Sequence, residues 1–250
     1  MHPIIRWHGQ VYSSFAVMTL LGFVIAAIYF FYAATRIEKF SAFKVVLFIS
    51  LMYFVQVGGG WILPGIYKWF AVGPFPLSDL PKKGRYYHSV LLSALAFAAV
   101  YAKLARWPLG RLLDQLTISI GIMSPMGRIG CFLHGCCAGK VCDLPWAVKF
   151  KFDKEPVHPT QLYHLFFETF IVLPILFYCQ KRKRFGGQIL WVYLLVYSFF
   201  RFWVEFFRTN PIAWAGLSHA QLFSLVTAVI AGIVLVIKLK KTKNALGQSA

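Results

Sequence analysis

The sequence predicts an all-α polytopic membrane protein, a bundle of about seven transmembrane helices with the N-terminus outside and the C-terminus cytoplasmic. Three observations predict it. The 250 residues are 59% hydrophobic, 18% aromatic and 14% charged, too apolar to be wrapped as one soluble core. The apolar residues run on continuously for spanning length instead of alternating as barrel strands do, so helices are favoured. The basic residues gather in alternate loops, which sets the orientation.

With about 20 residues needed to cross a hydrocarbon layer roughly 30 Å thick, spans are expected at about 12–34, 43–63, 88–103, 112–133, 162–179, 188–207 and 217–237. Residues 1–250 are expected to form a single integral membrane domain. The first span is too long, and too weakly basic ahead of it, for a cleavable signal, and reads as a retained anchor. The third and fifth, at about 16 to 18 residues, are short enough to run obliquely or to extend into their polar flanks. No repeat or low-complexity segment stands out.

One set of loops carries Arg36, Lys39 and Lys44, then Lys103, Arg106 and Arg111, then Lys181 to Arg184, then Lys238, Lys240, Lys241 and Lys243, with Glu38 the only acid among them. That side is expected to be cytoplasmic. The opposite set holds Arg6 and the loops at 64–87, 134–161 and 208–219, where bases are sparser and Asp79, Asp143, Asp153 and Glu155 dilute them. The net charge of +18 is then mostly a topology signal plus attraction to anionic lipid head groups. Nucleic acid is not expected as a partner, because the charge is split between two faces with no compact basic domain.

Four polar islands interrupt this background. Gly127 to Gly139, at the end of the fourth span, contains Arg128, Cys131, His134, Cys136 and Cys137. A cation at such a depth faces a protein interior or wet cavity and marks a substrate path. Cys131, Cys136, Cys137 and Cys142 fall on the outer side, where three readings stay open: a disulfide, soft metal ligation together with His134, or small packing thiols. Absent any paired Cys-x-x-Cys unit, no metal is assigned. Cys179 falls at the opposite end of the fifth span.

The second island, Tyr86-Tyr87-His88, opens the third span; His88 is either an interfacial residue or a general base. The third, His158-Pro159-Thr160-Gln161-Leu162-Tyr163, opens the fifth span, where Pro removes no needed hydrogen bond and free amides either cap the helix or favour an anion. The fourth runs from Arg201 to Arg208 and sets Arg201 and Glu205 four apart on one helical face, as a structural pair or a functional one. His164 and Glu168 repeat that spacing less tellingly. Asp114 reads as a charge at a helix start.

In this order the islands resemble the prolipoprotein diacylglyceryl transferase family over nearly the whole chain. The resemblance rests on Leu112-Leu113-Asp114, Gly127-Arg128-Ile129-Gly130 with Gly135 and Gly139, the six residues from His158 to Tyr163, and Arg201-Phe202 with Val204 to Arg208. Leu21-Gly22-Phe23 and Gln221 match more loosely. The resemblance implies transfer of a diacylglyceryl group from phosphatidylglycerol to the lipobox Cys thiol of secreted prolipoproteins, in a bacterial cytoplasmic membrane. It implies His88 as base, Arg128 and Arg201 as phosphate-holding cations and Glu205 as the residue that orients Arg201. Gly139, His158, Gln161 and Tyr163 join Arg128 and Arg201 as substrate-binding positions. No metal or organic cofactor is implied, since displacement at a phosphate ester carbon requires a nucleophile, a base and anion stabilisation.

Several positions depart from the common pattern. Cys131, His134 and Cys136 replace two amides and a carboxylate, Phe15-Ala16 stands for Tyr-Gly, Trp61 for Arg, Ser89-Val90 for Gly-Gly, and His164 for Glu. Two other readings therefore stand beside the transferase. One is a member that binds phospholipid or a Cys-bearing peptide without transfer. The other is a membrane thiol, metal or transport protein built on Cys131 to Cys142.

Overall fold

The computed structural model describes residues 4–7, 10–72, 87–151 and 153–247, with side chains for all of these except 6–7, 57, 59–72, 87–92 and 246–247. The protein is an all-α polytopic membrane protein. Among the described residues, five helices are long and apolar enough to cross a membrane: Ser14–Ile37, Leu109–His134, Thr160–Arg182, Gln188–Phe207 and His219–Ala245. In chain order the helices are α1 (Ser14–Tyr32), α2 (Ala42–Val72), α3 (Tyr87–Ala105), α4 (Leu109–His134), α5 (Thr160–Phe167), α6 (Leu173–Arg182), α7 (Gln188–Val204) and α8 (His219–Gly247). Among the described residues, two short antiparallel hairpins, which hydropathy does not reveal, precede α1 and α8: Ile4–Trp7 with Gln10–Ser13, and Ile212–Trp214 with Leu217–Ser218.

Residues 31–113 form one compact unit and residues 1–30 with 114–250 another. In the first, Phe48 is buried and its ring meets Phe97 and Tyr101 at 5.4 and 5.1 Å, while Trp107 stacks on Phe40 at 4.4 Å. The Tyr101 hydroxyl donates to the Lys44 carbonyl (2.7 Å), and the Lys44 ammonium donates to the carbonyl of Ala105 at the end of α3 (3.4 Å). A cation there meets carbonyls left over at a helix C-terminus.

The second unit carries the functional islands. Gly22 of α1 lies against α4 so closely that a Cβ would stand 2.8 Å from Met126 Cβ, and a Cβ on Gly130 would stand 3.1 Å from Phe15 Cα. Lipid gives no hydrophobic drive for helices to associate, so close backbone approach at small residues is how van der Waals packing holds them. Ile118, Val172, Leu176 and Ile189 form a fully buried apolar cluster. Beside it, the Gln180 amide donates to the Tyr29 hydroxyl (2.7 Å) and to Gln115 Oε1 (3.0 Å), a polar tie among α1, α4 and α6.

Asp114 does not start a helix. It lies inside α4, fully buried, and its two carboxylate oxygens accept the amides of Gly187 (2.9 Å) and Ile189 (2.8 Å) at the beginning of α7. It thus satisfies orphan amides of a different helix, with the Lys183 ammonium 3.9 Å away.

The fifth span is longer than its apolar core suggests. It runs from Thr160 to Arg182, because helical hydrogen bonding continues through Thr160-Gln161 at one end and Gln180 to Arg182 at the other. Its middle, Glu168–Val172, is a wide π turn between α5 and α6. Pro174 follows. Its ring crowds the carbonyl four residues back and brings no amide to it, and a wide turn ahead of such a proline accommodates the lost bond.

Candidate active site

Arg128 stands one turn and a half before the end of α4, three residues after Pro125. Its side chain is about one-fifth exposed, with Nη2 3.5 Å from the Tyr197 hydroxyl of α7 and Nε 3.9 Å from Glu168 Oε1. Glu168 opens the π turn and is fully buried. Its Oε1 also lies 3.6 Å from Nδ1 of His164, one turn earlier on the same face and equally buried. The edge of the His164 ring meets Phe200, with the centroids 5.1 Å apart. Among the described residues, neither His164 ring nitrogen and neither Glu168 oxygen has a hydrogen-bond partner, and all four atoms are buried. Such groups are costly unless a polar guest satisfies them.

The second cation, Arg201, is also about one-fifth exposed and stands 2.6 Å from Glu205 Oε2 within its own helix. Glu205 is buried where α7 tightens into the 3-10 turn Glu205–Phe207. That tightening also brings Arg208 Nε to 3.8 Å from the same oxygen. The other oxygen, Oε1, accepts from the Asn210 amide and from the Ser218 hydroxyl (2.9 Å). Ser218 is itself fixed by a reciprocal pair: its amide donates to Gln221 Oε1 (2.9 Å) and its Oγ accepts from the Gln221 amide (3.2 Å). This is a capping box at the start of α8. Arg128 and Arg201 are near enough to act on one another electrostatically, and Tyr197 and His164 feel both.

A loop packs between these groups. Gly135 turns out of α4 at φ +78° and Cys137 at φ +67°. The Gln161 amide donates to the Cys136 carbonyl (2.6 Å), and the Thr160 hydroxyl (2.8 Å) and Arg208 (3.4 Å) donate to the Cys137 carbonyl. Gly139 donates to the His158 carbonyl (2.8 Å) and Lys140 to the Phe207 carbonyl (2.7 Å). A Cβ on Gly139 would collide with the Phe207 carbonyl oxygen and lie 2.8 Å from His158 Cβ. His158 Nδ1 is 3.0 Å from the Tyr163 hydroxyl, which accepts from Trp146 Nε1 at 2.9 Å. Partial burial pushes the His158 imidazole below its ordinary value.

The structure therefore brings Arg128, Arg201 and Glu205 into one region and uses Gly139, His158 and Gln161 to tie the loop from Gly135 to Lys140 to the start of α5, with Tyr163 hydrogen-bonded to the His158 ring. Gln161 keeps one buried acceptor, Oε1, that has no partner among the described residues. His88 is the second residue of α3, but its side chain lies outside the described residues, and Asp79 lies outside them altogether. All five cysteines are free, and the thiols of Cys131, Cys136 and Cys137 gather within 4.8 Å of one another while His134 stays apart and exposed. Sequence reasoning passed over Tyr197, Arg208, Asn210 and Ser218 as site residues. Tyr197 precedes Arg201 by four positions, and that helical spacing was a usable signal. Asn210 and Ser218 reach Glu205 through a hairpin that no periodicity reveals.

A family model described as prolipoprotein diacylglyceryl transferase matches residues 4–238. Among curated relatives, the phosphatidylglycerol–prolipoprotein diacylglyceryl transferase of Mannheimia succiniciproducens is 32% identical over 231 residues, covering 88% of this chain and 81% of that one. The similarly named protein of Finegoldia magna is 27% identical over 95% of this chain and 92% of its own. That of Clostridium tetani is 33% identical over 165 residues, 63% of this chain and 65% of its own.

Proposed function

The chain belongs to the prolipoprotein diacylglyceryl transferase family, and on that premise we propose that it moves the diacylglyceryl group of phosphatidylglycerol onto the lipobox cysteine of prolipoprotein signal peptides in a bacterial cytoplasmic membrane. The observation that carries this reading is the pair of guanidiniums, Arg128 and Arg201, each backed by a buried carboxylate, Glu168 and Glu205. With Arg208 also on Glu205, three cations stand against two anions among the described residues, which leaves one positive charge for a phosphodiester. The seven-span count, the N-terminus outside and the single membrane domain belong to the same proposal.

The reaction needs three services. The acceptor thiol, with an ordinary pKa near 8.5, must lose its proton before the sulfur attacks carbon; His88 is the assigned base. The new sulfur–carbon bond forms at the glycerol carbon that carries the phosphate, and the carbon–oxygen bond breaks with its electron pair leaving on glycerol phosphate. Arg128 and Arg201 hold that phosphate and stabilise the charge that grows on it, which is worth most in a low-dielectric site with the donors already fixed. The buried carboxylates keep both forks aimed at a cost in desolvation that stability alone does not reward.

Incubating the detergent-purified protein with phosphatidylglycerol and a lipobox-Cys peptide tests the reading. The expected product is the peptide heavier by one diacylglyceryl group, absent when the Cys is replaced by Ser. A well-folded protein that binds phosphatidylglycerol yet yields no such peptide would favour the lipid-binding reading. His88→Ala, with its thiol-pH profile, then tests the base separately.

A further inference from the structure

The three thiols at the end of α4 have no task in the transfer reaction, and their arrangement is specific. Gly135 and Cys136 both donate their amides to the Cys131 carbonyl (3.0 and 3.1 Å), folding the chain back over the last turn. Cys137 then takes a left-handed backbone conformation, which is unfavourable for a non-glycine residue and persists only where the surroundings impose it. Here they do: Gln161, Thr160 and Arg208 bind the Cys136 and Cys137 carbonyls. The result sets Sγ of Cys136 and Cys137 3.7 Å apart, with Cys131 Sγ within 4.8 Å of both. Zinc–thiolate bonds of about 2.3 Å at tetrahedral angles place sulfurs roughly 3.8 Å apart.

We propose that Cys131, Cys136 and Cys137 form a three-thiolate binding site for a soft d10 cation, Zn(II) or Cu(I). Burial argues against simple packing thiols, because Cys131 is buried while Cys136 is half-exposed and Cys137 exposed, which leaves the cluster one open side for entry and for a fourth ligand. Charge argues the same way. Three thiolates and Zn(II) carry one net negative charge, and the Arg208 guanidinium lies beside the cluster, donating to the Cys137 carbonyl (3.4 Å). Binding replaces three S–H bonds by three metal–sulfur bonds and releases three protons, so no oxidant or reductant is involved. His134, which the residue spacing groups with these thiols, takes no part because it lies outside the cluster.

The test uses the full-length protein in detergent, reduced and stripped with chelator, then offered Zn(II) alone or Cu(I) alone. Bound metal per chain is measured after removal of the excess. Wild type, Cys142→Ser and Cys179→Ser are expected to retain one equivalent, and Cys131→Ser, Cys136→Ser and Cys137→Ser to bind at least about tenfold more weakly, as loss of one ligand requires. The arm that binds more tightly against a competing chelator identifies the cation. Co(II) added to wild type gives a readout independent of variant folding, since the intensity of thiolate-to-cobalt charge transfer reports three sulfur ligands. The proposal is overturned by failure to retain stoichiometric metal, by retention unchanged in all three variants, or by an intact mass of unreduced protein that shows a disulfide within the trio.

Discussion

At the scale of single residues, the two arginines are held by different devices. Arg201 meets Glu205 four residues on in its own helix, at 2.6 Å, and the spacing alone made that pair legible. Arg128 reaches Glu168 from another helix at 3.9 Å, and no pattern within either segment encodes that meeting. Glu168 opens the wide turn Glu168–Val172, which no periodicity announces. Cys137 yields a pH prediction. The neighbouring Cys131 and Cys136 thiols, then the Arg208 and Arg128 guanidiniums, hold its thiol below the ordinary range. An ordinary thiol with pKa near 8.5 alkylates about tenfold faster per pH unit until it ionises. In metal-stripped protein, iodoacetamide should therefore modify Cys137 first, at a rate nearly flat from about pH 7 to 9, and Arg208→Gln should restore part of the slope. Mass mapping of the alkylated chain checks both, and a steep profile at Cys137 would contradict the arrangement.

At the scale of elements, five of the expected spans were legible and their joints were not. Hydropathy located the apolar middle of the fifth span, but Thr160 to Arg182 continues into residues that hydropathy scores as loop, because helix ends here are polar and tied to neighbours. Asp114 illustrates the same limit: its sequence position suggests the start of its own helix, whereas its carboxylate caps α7 through the amides of Gly187 and Ile189. Asp114→Ala strands those two buried amides and should destabilise the protein by about 1–3 kcal/mol, read as a lowered Tm in detergent, with Asp114→Asn recovering part of it. Gly139 makes a different kind of joint. Its family position suggested substrate contact, and the structure adds a steric reason for glycine, since a Cβ would strike the Phe207 carbonyl oxygen. Gly139→Ala should push the loop off α5, at about 1–3 kcal/mol of overpacking strain, and lower transfer more than it lowers phosphatidylglycerol binding. A variant with wild-type Tm and turnover would remove that role.

At the scale of the whole molecule, the class of fold follows from composition and from continuous apolar runs, while orientation rests on basic residues counted loop by loop. Placing Gly127 to Gly139 on the outer side makes Cys142 reachable by a membrane-impermeant maleimide in intact cells and leaves Cys179 protected until the membrane is opened. The reverse labelling would invert the topology and move the site to the cytoplasmic face, away from an emerging secreted substrate. The central claim is that two carboxylate-backed guanidiniums hold the lipid phosphate through carbon–oxygen cleavage. Arginine's planar fork is not reproduced by lysine's point charge, so Lys substitutions keep the charge and remove the geometry. The most direct measurement follows both products, lipidated peptide and released glycerol phosphate, with wild type, Arg128→Lys and Arg201→Lys at saturating phosphatidylglycerol. Wild type is expected to give equimolar products, and each variant turnover lower by about 10²–10³-fold. Wild-type turnover in both Lys variants would contradict it.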